Sequence, residues 1–185
     1  MNELQKKLAA LCKRLTLVLT GICLSVVPLW ADDYARNGFE DSPYLNFRIL
    51  DEDYVARAVE RVDDLTRRHY GSGLRQEKEH DIRLIQRLLD EEKIALDDLA
   101  TQQAAGFALG AMMARELDLT WIRYRDEEGV SRALHARRTD SVFFPASMIS
   151  RRYSVGLVPD LEKLYRETDQ IVSKVRALDY TPPRY

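Results

Sequence analysis

Two of the three serines in the stretch Asp140–Arg152, Ser147 and Ser150, raise the question of nucleophilic catalysis. Ser147 is the stronger candidate, because His135 could act as its base and Asp140 could orient that histidine. The stretch lacks a Gly-x-Ser-x-Gly elbow, and Ser150 stands where a Ser-x-x-Lys enzyme would have lysine. These residues therefore favour Ser147 as a residue in the first turn of a helix, and we predict no catalytic residue in this chain.

Histidine and carboxylate groups with metal-ligand spacing are sparse. The chain has three histidines, and the only one with carboxylates close by in sequence is His80, which is flanked by Glu77 and Asp81. A helical metal site needs ligands three or four residues apart, and no second pair of ligands supports this one. We predict a solvated helix start here, no metal site and no cofactor.

A pair of carboxylates could support glycosidase chemistry, which would suit a cell-wall compartment. Three consecutive acids, Asp126–Glu128, precede Gly129 in a segment with the composition of an exposed turn. Water would surround all three carboxylates equally. Their pKa values would then be similar, so none of them would be set apart as a general acid while another acts as the base. We therefore interpret them as a solvated turn.

Arginines are concentrated between Arg123 and Arg152, where seven arginines and no lysine stand against four acids. The arginine fork suits carboxylates and phosphates, and a helix that begins at Pro145 would point free N–H groups at an anion. The residues that we select as an anion-binding or partner-binding face are Arg132, Arg137, Ser147, Arg151 and Arg152. The alternative is that these arginines pair with acids on neighbouring helices or solvate the outer face of a sheet.

Apolar residues at helical spacing predict three helices in the first part of the chain. The first begins near Asp51 and ends at Gly71, and the second carries a stripe that starts at Ile82. The third is capped by Asp97 or Asp98 and runs to about Glu116.

The third helix contains glycines four residues apart, Gly106 and Gly110. Each interior glycine costs a helix about 1 kcal/mol relative to alanine, so the pair predicts a face that another element approaches closely. We expect a sheet to lie on this helix.

The apolar pattern then changes to that of strands. Thr120–Tyr124 and Val130–His135 flank the acidic turn and predict a hairpin, and Ser141–Phe144 predicts a third strand. Pro145 opens a short helix to about Tyr153, and Pro159 and Asp160 open a last helix. The expected fold is α+β, with a helical N-terminal part, a three-stranded antiparallel meander packed on helices, and two C-terminal helices.

The first 31 residues have the pattern of a secretory signal peptide. Four basic residues and one acid precede the apolar run Leu15–Val27, and Ala31 stands before a polar segment. The apolar run is shorter than the ~20 residues of a spanning helix, so we expect cleavage and no stable membrane span afterwards. The alternatives are an uncleaved N-terminal anchor and a lipoprotein modified at Cys23. We therefore predict a periplasmic or secreted protein.

The remaining chain divides into an irregular lead-in (32–48), a single α+β domain (49–178) and a loose tail (179–185). Both cysteines of the chain, Cys12 and Cys23, lie within the proposed signal, so the exported part would have no disulfide. Removal of the signal changes the net charge from −2 to −5, which argues against nucleic acid as a partner.

The C-terminal half resembles the bacterial family catalogued as domain of unknown function 3806. The resemblance rests on the order of several features: Gly106 and Gly110 on a helix, Leu119 and Trp121 at the start of a strand, Gly129 in an acidic turn, and the sequence FPASMISRR. It extends over Ala95–Val175 and implies a small α+β domain without a known activity.

These observations predict an exported, non-enzymatic α+β module that binds an envelope protein or an anionic cell-wall component. The alternative in the enzyme class is an envelope-associated hydrolase that uses carboxylates or Ser147. A third interpretation is a homo-oligomer that associates through exposed aromatic surface.

Overall fold

The computed structural model describes residues 42–179 of the 185-residue chain. The helices in this range are α1 (Ile49–Tyr70), α2 (Lys78–Asp90), α3 (Leu99–Glu116), α4 (Pro145–Tyr153) and α5 (Leu161–Asp179). The strands are β1 (Tyr44–Leu45), β2 (Thr120–Asp126), β3 (Gly129–His135) and β4 (Val142–Phe143). The predicted α+β class is confirmed. The proposed signal peptide, the first part of the lead-in and residues 180–185 lie outside the described range.

The strands form one antiparallel sheet in the order β1-β2-β3-β4. Its hairpin has Thr120 opposite His135 and Asp126 opposite Gly129. The prediction of three strands was wrong by one, because Tyr44–Leu45 of the expected lead-in pairs with β2. A two-residue strand gives no alternating pattern in the sequence, and its strand geometry depends on pairing with a distant partner.

Local signals set the ends of the long helices. Gly71 ends α1 with a φ of 66°, and its N–H bonds to the Arg67 carbonyl at 2.9 Å. This left-handed position is where helices prefer glycine. Asp98 caps α3 by accepting a 3.0 Å hydrogen bond from the Thr101 N–H, which confirms one of the two predicted caps.

The hydrophobic core surrounds α3. Leu109, Met112 and Met113 of this helix are fully buried against residues of α2, the sheet and α4. Tyr153 at the end of α4 is also buried, and its hydroxyl lies 2.9 Å from the Ile94 carbonyl. Because a buried hydroxyl needs a partner, this hydrogen bond fixes the end of α4 against the loop that precedes α3.

The glycine pair of α3 lies under the first turn of α4. A Cβ atom at Gly106 would overlap the Pro145 carbonyl oxygen and lie 2.8 Å from the Ala146 Cα. At Gly110 it would lie 2.6 Å from the Pro145 side chain and 3.0 Å from Trp121 of β2. The predicted close approach is thus found, but the element that approaches most closely is α4 and the sheet contributes only Trp121. We call this contact the α3–α4 joint.

None of the helices between residues 42 and 179 combines the length and the apolar character that a bilayer-spanning helix requires.

Candidate functional site

A cleft of about 410 Å³ lies between α4 and the edge of β3 that faces away from β2. We call it the Arg132–Arg151 cleft. Its floor comes from α1 and α3, and one end is closed by the acidic hairpin turn. The residues that line it are Tyr54, Gln103, Phe107, Asp126, Glu128, Val130, Ser131, Arg132, Phe144, Ala146, Ser147, Ser150 and Arg151.

Three of the five residues selected from the sequence meet in this cleft, namely Arg132, Ser147 and Arg151. The other two do not. Arg137 lies in the turn between β3 and β4, where its Nε donates to the Thr120 hydroxyl. The Arg152 side chain folds back onto its own helix and donates to the Met148 carbonyl at 2.8 Å. The structure therefore brings together three of the five selected residues and places Arg137 and Arg152 outside the cleft.

Arg132 is held in place by partners on α1. Its Nη2 lies 2.9 Å from a carboxylate oxygen of Asp51, and its guanidinium lies 4.0 Å from the centre of the Tyr54 ring. Contact with both a carboxylate and a ring face suits the planar guanidinium. The Nε of Arg132 is buried and has no hydrogen-bond partner, so the polar requirements of this side chain are met only in part.

The Asp51 carboxylate is shared by three arginines. Its side chain is only 5% exposed, and besides Arg132 it contacts Arg48 at 3.5 Å and Arg123 at 3.7 Å. Burial of a carboxylate is tolerated because these cations surround it, and three positive charges on one negative charge leave a positive excess. The alternative of pairing with a neighbouring helix thus holds for Arg123 and Arg132.

Arg151 differs from both, because its side chain has no ion pair or hydrogen bond within the described part of the chain. It is exposed at the rim of the cleft. At the opposite end lies the turn carboxylate of Glu128, which also has no ion pair there. Within the described chain, the cleft therefore has one unpaired guanidinium, that of Arg151, and two carboxylates without an ion pair, Asp126 and Glu128, at the hairpin turn.

The geometry gives no support to a serine triad. The Ser147 hydroxyl donates to the Phe144 carbonyl at 3.1 Å, as a residue in the first turn of a helix commonly does. The His135 Nε2 lies 2.7 Å from the Thr139 carbonyl. Since Ser147 and His135 are each bonded to main-chain oxygens, neither activates the other.

The predicted acidic turn is found at the tip of the hairpin. Asp126 accepts hydrogen bonds from the N–H groups of Glu128 and Gly129 at 3.0 and 3.1 Å, and all three acids are exposed. His80 lies 3.0 Å from the Gly73 carbonyl. Within residues 42–179 no three His, Cys, Asp or Glu residues are grouped so that they could hold a metal ion.

The outer face of the sheet carries an aromatic cluster. The Tyr44 ring lies 4.8 Å from His135 and 5.8 Å from Tyr124, and Phe144 contacts Tyr124 edge-on. Burial, followed by the charge of Asp140, raises the pKa of Tyr44 above its ordinary value. These rings are half-buried against one another, so the proposed aromatic surface for self-association is partly covered by its own members.

A second cavity, of about 690 Å³, lies between α1 and β2. It is largely apolar, with Phe47, Val55, Val59 and Trp121 among its walls. None of the residues selected from the sequence lines it.

The comparison with protein families bears on the part of the chain that contains the cleft. Residues 81–165 match the family described as a domain of unknown function, DUF3806. The resemblance expected from the sequence is confirmed, although the DUF3806 match begins at α2 and ends within α5. It includes the walls from α3, β3 and α4, whereas Asp51 and Tyr54 on α1 lie outside it.

The fold itself has a relative among solved structures. A crystal structure from Bacteroides thetaiotaomicron VPI-5482, at 1.50 Å resolution, aligns with a TM-score of 0.61 and 16% sequence identity. The alignment covers 68% of this chain and 46% of that one, so this chain spans just under half the length of its relative. At this identity the likeness shows the fold alone. No curated protein matches the sequence.

Sequence reasoning missed Asp51 and Tyr54. Asp51 resembles any acid in the first turn of a helix, where the helix dipole favours negative charge. Tyr54 resembles any aromatic residue on an amphipathic helix. Their role depends on β3, which lies far away in the sequence, and no local signal could have identified it.

Proposed function

We propose that this protein is an exported, non-enzymatic binding module whose site is the Arg132–Arg151 cleft. Its ligand is a protein or an anionic component of the cell envelope. The observation that carries the proposal is the meeting of Arg132, Ser147 and Arg151 in one cleft. Arg151 supplies an unpaired guanidinium, and the arginines around Asp51 add positive charge behind it.

Export is inferred from the sequence pattern of residues 1–31, in which a basic segment is followed by an apolar run and Ala31. A binding role is preferred over catalysis because of the surroundings of the polar groups. The hydroxyl of Ser147 and the ring of His135 are bonded to carbonyls, and the acids of the turn are solvated. These groups therefore lack the arrangement that acyl transfer or glycoside hydrolysis needs.

The test is affinity capture of the tagged protein from gently cross-linked cells that export it. The matched pair of variants is Arg151→Ala and Arg152→Ala, because the two arginines are adjacent in sequence but only Arg151 lines the cleft. We expect wild type and Arg152→Ala to retain the same stoichiometric partner or anionic polymer, and Arg151→Ala to lose it.

Equal capture by all three proteins would place binding elsewhere on the molecule. An empty lane for the wild type would remove the basis for a binding module. Circular dichroism of each variant checks that a loss of capture is not a loss of folding.

A further inference from the structure

The edge of β3 that borders the cleft is open. Only Leu134 and His135 of β3 pair with β4, whereas all seven residues of β3 pair with β2. In an antiparallel ladder successive residues direct their N–H and C=O groups to opposite sides. Ala136 donates towards β4, to the Ser141 carbonyl, so Val130 and Arg132 direct their main-chain groups to that same side.

These main-chain groups have no partner within residues 42–179. The hydrogen bonds of the structure include none to the N–H or C=O of Val130 or Arg132 from the side of β4. The reason is that β4 ends at Phe143 and the chain turns into α4 at Pro145. The turn leaves the Arg132–Arg151 cleft in the place where a longer β4 would have continued.

We propose that the cleft binds an extended peptide segment, which carries a carboxylate and adds to the edge of β3 as a strand. The inference rests on the proposed function, since it names the ligand class for the same cleft. Main-chain groups of Val130 and Arg132 provide the hydrogen bonds, as in other complexes that extend a sheet by one strand.

The side chains of the cleft define the chemistry of this segment. The Arg151 guanidinium, free at the rim on the side of α4, provides the partner for a carboxylate of the peptide. Val130 is 49% exposed beside the open edge, and Phe107 lies in the floor. An apolar residue on the same face of the peptide strand as the acidic one, two positions away, would therefore bury surface against them.

A second copy of this chain is a poorer occupant of the edge than a peptide. The edge is bordered by α4 on one side and ends at the exposed acids of the turn, Asp126–Glu128. A single strand needs only the ~4.8 Å spacing of a sheet, whereas a whole domain would have to bring its own acidic turn into the cleft.

The experiment is selection of a random peptide library, displayed on phage, against the purified exported protein. The decisive variant is Val130→Pro, which removes the N–H that faces the cleft and leaves the ladder to β2 intact. We expect enriched peptides to contain an acidic residue and to lose about tenfold or more in affinity for Val130→Pro. Amide exchange at Val130 and Arg132 should slow when such a peptide binds.

A selected peptide should bind Arg151→Ala more weakly than it binds the wild type. Its affinity for Arg151→Ala should equal the affinity of the wild type for the same peptide with glutamine in place of its acid. Methylation of the peptide nitrogens that face β3 should abolish binding, although the charge is kept. Strand addition would be overturned if no selected peptide bound the wild type better than Val130→Pro. It would also be overturned if the methylated peptide bound the wild type as tightly as the unmethylated one. A wild-type dimer that becomes a monomer in Val130→Pro would also overturn it, by assigning the edge to a second copy.

The capture experiment separates the two proposals. If capture depends on Arg151 but is unchanged in Val130→Pro, the cleft binds its ligand without strand addition, and only the inference fails. If capture depends on neither residue, the proposed function fails as well.

Discussion

The α3–α4 joint and the Arg132–Arg151 cleft lie on the same two helices, yet they are built in opposite ways. At Gly106 of the joint, the main chain of α3 packs directly on the main chain of α4. In the cleft, α4 stands apart from its neighbour and leaves a space of about 410 Å³. The joint brings α4 close to the core, and the cleft is the gap that remains on the side of β3.

The two regions also differ in how their polar groups are satisfied. Next to the joint, the buried Tyr153 hydroxyl donates to the Ile94 carbonyl at 2.9 Å. In the cleft, Arg151 has no partner within the described chain and the Nε of Arg132 is buried without one. A buried polar atom without a partner lowers the stability of a fold, so these unpaired groups are better explained by the binding role that we propose for the cleft.

The largest effect is expected from Gly106→Ala, which attacks the joint directly. The added Cβ would meet main-chain atoms of Pro145 and Ala146, which cannot rotate away. We expect a loss of about 3 kcal/mol in the free energy of unfolding, at the upper end for overpacking, despite a gain of about 1 kcal/mol in helix propensity. Urea denaturation of the variant measures it.

Gly110→Ala is a milder test of the same contact. Its Cβ would meet side-chain atoms of Pro145 and Trp121, and not main-chain atoms. We expect it to cost less than Gly106→Ala. If Gly106→Ala were as stable as the wild type, α4 could move away from α3 freely, and the contrast between a rigid joint and an open cleft would be lost.

An intermediate effect is expected from Asp51→Ala, which removes the one anion shared by the arginines behind the cleft. Arg132 and Arg123, with side chains 30% and 21% exposed, would lose their carboxylate. Because water still reaches these arginines, we expect a loss of about 2 kcal/mol in unfolding free energy, below the range for fully buried pairs.

The matched control is Asp53→Ala, since Asp53 is an exposed acid in the same turn of α1 with no ion pair among the described residues. Equal urea midpoints for the two variants would show that the pairing around Asp51 adds nothing. The cleft would then lack the fixed wall that the contrast with the joint assumes.

The sequence predicted part of the joint and none of the contacts that build the cleft. Two glycines in a helix imply a close neighbour and Pro145 marks the start of α4, but the expected neighbour was the sheet, and local signals did not show that it is α4. The cleft depends on contacts between Asp51 and β3, which are distant in sequence. The density of arginines in the sequence also did not show which of them share the cleft. Arg151 and Arg152 are about 100° apart around α4, so only one can face the cleft.

The other elements also differ in how far the sequence predicted them, and the reason is again whether the signal is local or distant. The hairpin, α4 and the cap at Asp98 follow from patterns within a few residues and were predicted. Strand β1 is two residues long and forms only because β2 offers an edge. Elements whose geometry is decided by a distant partner therefore require the folded structure, whereas those with their own capping or turn residues do not.

The smallest of these effects is expected from Asp98→Ala, which removes the N-terminal cap of α3, the helix that carries the glycines of the joint. The hydrogen bonds from Thr101, first from its side chain and then from its N–H, lower the pKa of Asp98 below the usual aspartate value. Loss of this cap should cost about 1 kcal/mol in unfolding free energy at neutral pH. The control is Asp97→Ala, because the neighbouring carboxylate is exposed and makes no such bond.

The pH dependence of this effect follows from the sign of the pKa shift. A carboxylate with a lowered pKa in the folded state stabilises the fold above the pKa of unfolded aspartate, and this contribution is lost as the pH falls through the lowered value. The difference between Asp98→Ala and wild type in urea denaturation should therefore shrink under acidic conditions, while that for Gly106→Ala should persist. A difference for Asp98→Ala that did not depend on pH would mean that Asp98 acts through packing, as the glycines of the joint do, and not through its charge.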